Sequence, residues 1–286
     1  MVDLDSEESF KLLDATGMRH LLRNLPDRCE GAWILAEQVS LPYSFQEVDR
    51  IIIVGMGGSA IAGDLVSSLS ISGKSLPVLV VRDFQLPSTL DSKSLVLACS
   101  YSGDTSETLT VFHQALSTDA KVVALTGGGA LKAEAEHLGV PFISFGNDVQ
   151  PRNASGPFLM SILKLLDSLT LLQTSYGDVE IALATLRSKI SEFAEEIPFV
   201  ANPAKKLAWE LYERLIVIYG IGPFSSMARR WKTQFNENSK NWAFFEAVPE
   251  VLHNGVEGFG IPENAKNMIM SVILQPVVPN GVVREQ

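Results

Sequence analysis

Short apolar runs alternate with helical patterns through the first half of the chain. The apolar runs, each a strand candidate, cover residues 51–54, 78–81, 95–99, 121–126 and 141–144. Helical spacing of apolar positions covers residues 59–69, 105–116 and 130–138. Short apolar strands that alternate with helices are typical of a parallel sheet covered on both faces. The pattern therefore predicts an open, doubly wound α/β domain.

Helical patterns also precede this domain, over residues 8–40, and follow it, over residues 155–173 and 178–197. We predict an N-terminal helical segment over residues 1–45, a first α/β domain over 46–154 and connecting helices over 155–211. In a second domain, over residues 212–286, an apolar run meets Gly220-Ile221-Gly222 and a further helix, which echoes residues 50–59. The echo indicates a duplicated domain. After residues 268–274 no further strand or closing helix follows, so we expect the second domain to be incomplete at its C-terminal end.

Composition and charge narrow the class of protein. The 286 residues are 46% hydrophobic and carry a net charge of −10, which argues against nucleic-acid binding and against anionic membrane surfaces. An anionic small molecule stays possible, because backbone amides and hydroxyls bind phosphate locally. Cys29 and Cys99 are too few for a disulfide framework or a metal cluster. The acidic N-terminus lacks the pattern of a secretory signal, and we expect a cytoplasmic protein.

Two loops rich in Gly, Ser and Thr follow neighbouring strand candidates. One is Gly55-Met56-Gly57-Gly58-Ser59, and the other is Ser100-Tyr101-Ser102-Gly103-Asp104-Thr105-Ser106-Glu107-Thr108. Glycine permits close approach of the backbone, and the N–H groups of a helix start attract an anion. Serine and threonine hydroxyls add donors without adding charge. Two such loops at one sheet edge predict a crevice for a phosphorylated small molecule.

Each of these motifs also has a plainer interpretation. Residues 55–60 fit the G-x-G-x-x-A dinucleotide fingerprint, with Asp83 near the end of the next strand. Thr105 or Asp104 could simply cap a helix. Without further information, a glutamate between two asparagines, such as Glu237, is a solvated surface residue. Likewise, His253 would be an ordinary histidine in a loop. Arg152 would pair with an acidic residue or cap a helix.

Five motifs together carry a family resemblance, over about residues 20–275. They are the two loops above, Pro151-Arg152-Asn153-Ala154, Asn236-Glu237-Asn238-Ser239-Lys240 and Pro249-Glu250-Val251-Leu252-His253-Asn254. In this order they resemble the bifunctional phosphoglucose/phosphomannose isomerases, a branch of the SIS (sugar isomerase) superfamily. The resemblance implies two SIS-type domains. It also implies aldose–ketose isomerisation of glucose 6-phosphate and mannose 6-phosphate to fructose 6-phosphate through a cis-enediol(ate), with no metal or organic cofactor.

The resemblance also implies roles for individual residues. Glu237 would move a proton between C1 and C2, His253 would open the sugar ring from the partner subunit of a homodimer, and Arg152 would stabilise the enediolate. The residues that it assigns to the phosphate group are Gly58, Ser59, Ser100, Ser102 and Thr105. The family uses a further lysine in its last helix, whereas no lysine follows Lys266 here.

The motifs leave three candidate functions for this chain. Glu237 and His253 favour an isomerase, because a base and a ring-opening group have no purpose in a sensor. The absent lysine favours a non-catalytic SIS protein that binds a sugar phosphate and regulates a partner. Only the glycine fingerprint supports a nucleotide-dependent oxidoreductase.

Overall fold

The computed structural model describes residues 3–71, 76–87, 90–146 and 149–276. It divides into two compact units, Met1–Ala208 and Trp209–Gln286. The predicted domain bounds, which place the connecting helices between residues 155 and 211, stay a prediction.

Five parallel strands form the centre of the first unit. They are β1 (Arg50–Gly55), β2 (Val78–Val81), β3 (Ser94–Ser100), β4 (Lys121–Thr126) and β5 (Phe142–Ser144). Their order in the sheet is β2-β1-β3-β4-β5, and every described pair runs parallel. Gly55 is level with Cys99, and Ser100 is level with Thr126. The loops that follow β1, β3 and β4 therefore lie side by side at one edge.

Helices cover both faces of this sheet. The first unit contains α1 (Glu7–Leu13), α2 (Met18–Arg23), α3 (Leu25–Glu37), α4 (Gly57–Ile71), α5 (Ser106–Leu116), α6 (Gly129–Leu138), α7 (Ser155–Ser168) and α8 (Tyr176–Glu192). Buried side chains of α3, α4 and α7 share one apolar cluster with β1 and β3, and those of α5 and α6 share another with the opposite face. This is the doubly wound arrangement that the strand and helix pattern predicted.

The predicted helices differ from the observed ones mainly at their ends. The apolar pattern of residues 155–173 extends beyond α7, which stops at Ser168 because Thr170 has φ +59° and the Leu171 N–H closes back on the Leu166 carbonyl at 2.9 Å. The helical pattern of residues 8–40 forms three helices. Gly17, at φ +69°, precedes α2, and Pro26 lies in the first turn of α3.

The second unit repeats the strand–turn–helix scheme on a smaller scale. After α9 (Pro203–Leu211), the chain forms β6 (Leu215–Ile221), α10 (Phe224–Gln234), a π-helical turn (Phe235–Ser239), β7 (Ala243–Val248) and β8 (Ile269–Leu274). The parallel strands have the order β7-β6-β8, and α10 contacts all of them. The predicted α/β class with two parallel sheets is thus confirmed. None of the described helices is long and apolar enough to cross a membrane.

Candidate functional site

The two Gly/Ser loops meet at the carboxyl edge of the first sheet. β1 ends at Gly55 and α4 begins at Gly57, so Ser59 lies in the first turn of that helix. The Ser59 side chain is buried, and its hydroxyl oxygen accepts the Tyr101 main-chain N–H at 3.3 Å. This bond joins the start of α4 to the loop that follows β3, and it brings the two predicted phosphate-binding segments into contact.

Three hydroxyl groups converge in the loop after β3. Ser100 Oγ lies 2.8 Å from Thr105 Oγ1, and Ser102 Oγ lies 3.5 Å from each of them. Ser100 is almost fully buried, while Ser102 and Thr105 are half-buried. The hydroxyl cluster of Ser100, Ser102 and Thr105 is therefore one partly accessible group, and its binding of phosphate stays a prediction.

Main-chain amides orient two of these hydroxyls. The Gly103 N–H donates to Ser100 Oγ at 3.1 Å, and the Asp104 N–H donates to Ser102 Oγ at 3.2 Å. An oxygen that accepts an amide keeps its own proton available for a further acceptor. Thr105 is the N-cap of α5, but within the described chain its side chain makes no capping hydrogen bond. Its hydroxyl faces the two serines instead, at the end of the helix that attracts anions.

The turn after β4 supports this loop from behind. Gly103 has φ +77°, and a Cβ added to it would lie 1.8 Å from the Gly128 carbonyl oxygen. The Gly127 N–H donates to the Tyr101 carbonyl at 2.9 Å, and Asp104 Oδ1 accepts the Ala130 N–H at 2.9 Å. Gly129, where an added Cβ would lie 2.3 Å from the Ser102 carbonyl oxygen, likewise permits close packing of this turn against the loop.

A third segment, which carries Arg152, lies against the start of α4. Arg152 is half-buried in the 3₁₀ turn Pro151–Asn153. A Cβ on Gly58 would lie 2.7 Å from the Pro151 carbonyl oxygen and 3.3 Å from Arg152 Cα. Only glycine lets the two backbones approach this closely. The spacing that fits the dinucleotide fingerprint thus has a structural purpose at Gly58, namely contact with the arginine segment.

Glu237 lies in the second unit, in the π-helical turn that extends α10. Such turns are rare in proteins as a whole, and those that occur frequently lie at functional sites. Asn236 Oδ1 accepts the Ala243 N–H at 2.8 Å, and Lys240 Nζ donates to the Glu237 carbonyl at 2.6 Å. Burial lowers the pKa of Arg230 to about 10, and the nearby Glu237 carboxylate opposes that shift. The turn is therefore held at both ends, and a partly buried cation lies near its carboxylate.

His253 ends the 3₁₀ turn Glu250–His253 in the same unit. Val251 anchors this turn in the core, whereas the His253 side chain is exposed. The Asn254 side-chain amide donates to Glu250 Oε1 at 2.9 Å, which braces the turn. Of the predicted site residues, the structure thus brings together the six of the first unit, while Glu237 and His253 belong to the second.

Tyr101, to which the sequence motifs assign no role, is buried and bonded to both Ser59 and Val149. The signal was a bulky aromatic side chain between two serines of the predicted phosphate-binding loop, whose neighbouring residues are small or polar. The cysteines behave as core residues, since both thiols are buried and burial raises the pKa of Cys29 to about 12. No group of three described His, Cys, Asp or Glu residues could hold a metal ion.

Comparison with known proteins identifies the family of this site. Residues 44–138 match the SIS domain, and residues 200–285 match the bacterial phospho-glucose isomerase C-terminal SIS domain. The chain is 36% identical to the bifunctional phosphoglucose/phosphomannose isomerase of Caldicellulosiruptor bescii over 252 residues, which are 88% of this chain and 74% of that protein. The chain belongs to the bifunctional phosphoglucose/phosphomannose isomerase family.

Further comparisons agree with this family. The bifunctional phosphoglucose/phosphomannose isomerase of Thermoplasma volcanium is 37% identical over 224 residues, which cover 77% of this chain and 67% of the relative. A glucose-6-phosphate isomerase like protein of Thermus thermophilus has a similar fold, with a TM-score of 0.61 at 19% identity, over 96% of this chain and 78% of that one. The isomerase family and its SIS fold, both expected from the motifs, are therefore confirmed.

Proposed function

We propose that this chain interconverts glucose 6-phosphate and mannose 6-phosphate with fructose 6-phosphate. The observation that carries the proposal is the hydroxyl cluster of Ser100, Ser102 and Thr105 at the start of α5, in a chain of this isomerase family. The cluster provides oriented neutral donors at a positive helix end, which suits a phosphate dianion. Gly58 and Ser59 complete the cradle from the neighbouring helix start.

The proposed reaction proceeds through a cis-enediol(ate) without a metal ion. His253 moves a proton at the ring oxygen, and the hemiacetal opens to the free aldehyde. Glu237 then takes the proton from C2, the electron pair forms the C1–C2 double bond, and the carbonyl oxygen at C1 becomes the enediolate oxygen. The proton of the C2 hydroxyl group passes to the C1 oxygen, and Glu237 returns its proton to C1. The C2–O bond becomes the carbonyl, and the product is the ketose. A carboxylate is suited to this transfer because one side chain can take the proton from one carbon and return it to the neighbouring carbon.

Arg152 stabilises the developing negative charge in this proposal. A guanidinium stays charged at every working pH and donates in a fixed plane, so it suits an oxyanion that forms and disappears in each turnover. The contact of Gly58 with the Arg152 backbone supports this role, because it ties the arginine segment to the phosphate cradle.

A homodimer completes the proposed site. In this arrangement the ring-opening histidine is His253 of the partner subunit. The exposure of the His253 side chain on its 3₁₀ turn supports the assignment, because an exposed histidine is available to a second chain.

A coupled assay for fructose 6-phosphate tests the proposal. Both aldose 6-phosphates should give product, and treatment with a chelator should leave the rate unchanged. Binding of fructose 6-phosphate without any turnover would contradict the isomerase and favour a sugar-phosphate sensor.

A further inference from the structure

Tyr101 lies within the phosphate loop but is turned away from the hydroxyl cluster. Its neighbours Ser100 and Ser102 contribute hydroxyls to the cluster, whereas Tyr101 is only 3% exposed and belongs to the apolar cluster on the α3, α4 and α7 face of the sheet. A buried phenol normally keeps a hydrogen-bond partner for its hydroxyl group. The partner of the Tyr101 hydroxyl group therefore identifies the segment that this side chain fixes in place.

Three of the hydrogen bonds of Tyr101 reach three different segments. Its N–H donates to Ser59 Oγ at 3.3 Å, and its carbonyl accepts the Gly127 N–H at 2.9 Å. Its phenol oxygen accepts the Val149 N–H at 3.2 Å. The first two bonds use the backbone and would survive a change of side chain. The third depends on the hydroxyl alone.

The segment that begins at Val149 leads directly to Arg152. The Asn153 N–H donates to the Gln150 carbonyl at 2.8 Å and the Ala154 N–H donates to the Pro151 carbonyl at 3.1 Å, which closes the turn that contains Arg152. The Pro151 carbonyl also lies against Gly58. Tyr101 therefore holds the chain two residues before this turn, and Gly58 packs against the turn itself. Because Arg152 is only three residues from Val149, we expect a shift of the Val149 backbone to displace the guanidinium.

We propose that Tyr101 is a positioning residue for Arg152. The buried ring fixes the phenol oxygen, the oxygen fixes the Val149 amide, and the amide fixes the register of the turn that presents the arginine to the enediolate oxygen. The catalytic part of this inference rests on the proposed function, in which Arg152 stabilises the enediolate. Phosphate binding does not depend on it, because the hydroxyl cluster is oriented by the Gly103 and Asp104 amides.

The variant Tyr101→Phe tests the role, since it keeps the ring and removes only the hydroxyl. We expect kcat to fall by about 10- to 100-fold, the range expected when a catalytic group is displaced by up to an ångström. KM and inhibition by inorganic phosphate should be unchanged. In an Arg152→Ala background the same substitution should cause no further loss, because coupled residues are not additive.

Ser161→Ala is the matched control for the loss of one buried hydroxyl bond. Ser161 Oγ donates to the Ala32 carbonyl at 3.0 Å in the packing of α7 on α3, away from the loops. This control should lower the melting temperature and leave kcat unchanged. The inference is overturned by an unchanged kcat in Tyr101→Phe, by an equal loss in the Arg152→Ala background, or by a parallel loss of phosphate affinity.

A second measurement separates this inference from the proposed function. Hydrogen exchange of the amides from Val149 to Ala154, measured without substrate, should be faster in Tyr101→Phe than in the parent and unchanged in Ser161→Ala. If the parent proved inactive as an isomerase, the proposed function would fail, while faster exchange would still support the positioning of the arginine turn. Unchanged exchange would overturn the positioning role, whatever the activity of the parent.

Discussion

Ser100 Oγ lies 2.8 Å from Thr105 Oγ1, so a strand end and a helix N-cap present their hydroxyls to one point. Because the Thr105 side chain makes no capping bond in the described structure, capping does not account for this threonine. An anion at that point would accept hydrogen bonds from the hydroxyl groups and would also be stabilised by the dipole at the α5 N-terminus.

The double variant Ser102→Ala and Thr105→Ala should weaken phosphate binding. A hydrogen bond to a charged group contributes about 1.5–3 kcal/mol, so the loss should be at least ~10-fold in affinity. Titration calorimetry with fructose 6-phosphate measures this loss of affinity. Thr110→Ala is the control, since Thr110 is an exposed threonine of the same helix. Equal affinities of the double variant and the control would refute the assignment.

Gly103→Ala should disrupt the loop through contact with the Gly128 carbonyl. Gly139 offers a matched comparison, because it has φ +67° but open space where a Cβ would go, whereas Gly103 has φ +77° and a carbonyl oxygen 1.8 Å away. Gly103→Ala should therefore lower the free energy of unfolding by roughly 1–3 kcal/mol more than Gly139→Ala. Urea denaturation of both variants tests this expectation, and equal losses would show that the loop accommodates the methyl group.

Glu237→Gln should abolish proton transfer while the fold is retained. Glutamine keeps the size of the side chain but cannot act as a base, so kcat should fall at least ~100-fold, the low end for general-base catalysis. Deuterium at C2 of glucose 6-phosphate should exchange with solvent in the parent and be retained in the variant. Glu246→Gln, at an exposed glutamate of β7, should behave like the parent. Continued loss of the label in Glu237→Gln would mean that another residue is the base.

Mixing two inactive variants tests the shared site. If each site combines Glu237 of one chain with His253 of the partner subunit, a mixed dimer of Glu237→Gln and His253→Ala contains one intact site. Exchange of subunits should then restore part of the activity, and cross-linking the chains before mixing should prevent the recovery. Activity that stays absent in demonstrably mixed dimers would place both residues of a site on the same chain.

Asp5 should contribute stability that depends on pH. Lys205 Nζ lies 2.8 Å from Asp5 Oδ1, and this hydrogen bond is the main cause that lowers the pKa of Asp5 below its ordinary value. A lowered pKa in the folded state adds stability above the unfolded value of about 4, and this stability is lost as the pH falls through the folded value.

The variant Asp5→Asn should therefore be less stable than the parent at pH 7, and the difference should narrow at pH values below about 4. Urea denaturation of the parent and the variant across this pH range measures the difference in their free energies of unfolding. Glu8→Gln is the control at an exposed acid of α1. A difference that is independent of pH would mean that Asp5 acts by packing rather than by charge.

The alternation of strands and helices was predictable because it depends on local apolar runs. The five predicted strands of the first unit agree with β1 to β5 within one residue at each end. The Gly/Ser loops were predictable for the same reason, since their residue types are tied to strand ends and helix starts. Helix ends were less predictable, as at α7, where an apolar pattern continues past Thr170 but the backbone turns left-handed.

The support of the site could not be read from sequence, because it consists of contacts between distant segments. The bond of Tyr101 to Val149 joins residues 48 apart, and the close approach of Gly103 to Gly128 depends on the register of β3 with β4. The π-helical turn at Glu237 likewise cannot be seen in the apolar pattern, which predicts only a further helix after Gly222.

The bonds of the phosphate loop also bear on when the site forms during folding. Tyr101 is tied to partners 42 and 48 residues away, and Asp104 to one 26 residues away. Such long closures lose chain entropy that only the paired strands and packed helices can offset. The loop therefore acquires its binding geometry only after β1, β3 and β4 are assembled. Affinity for inorganic phosphate would then report complete maturation of the first unit, and partly folded chains with near-native helix content would not bind it.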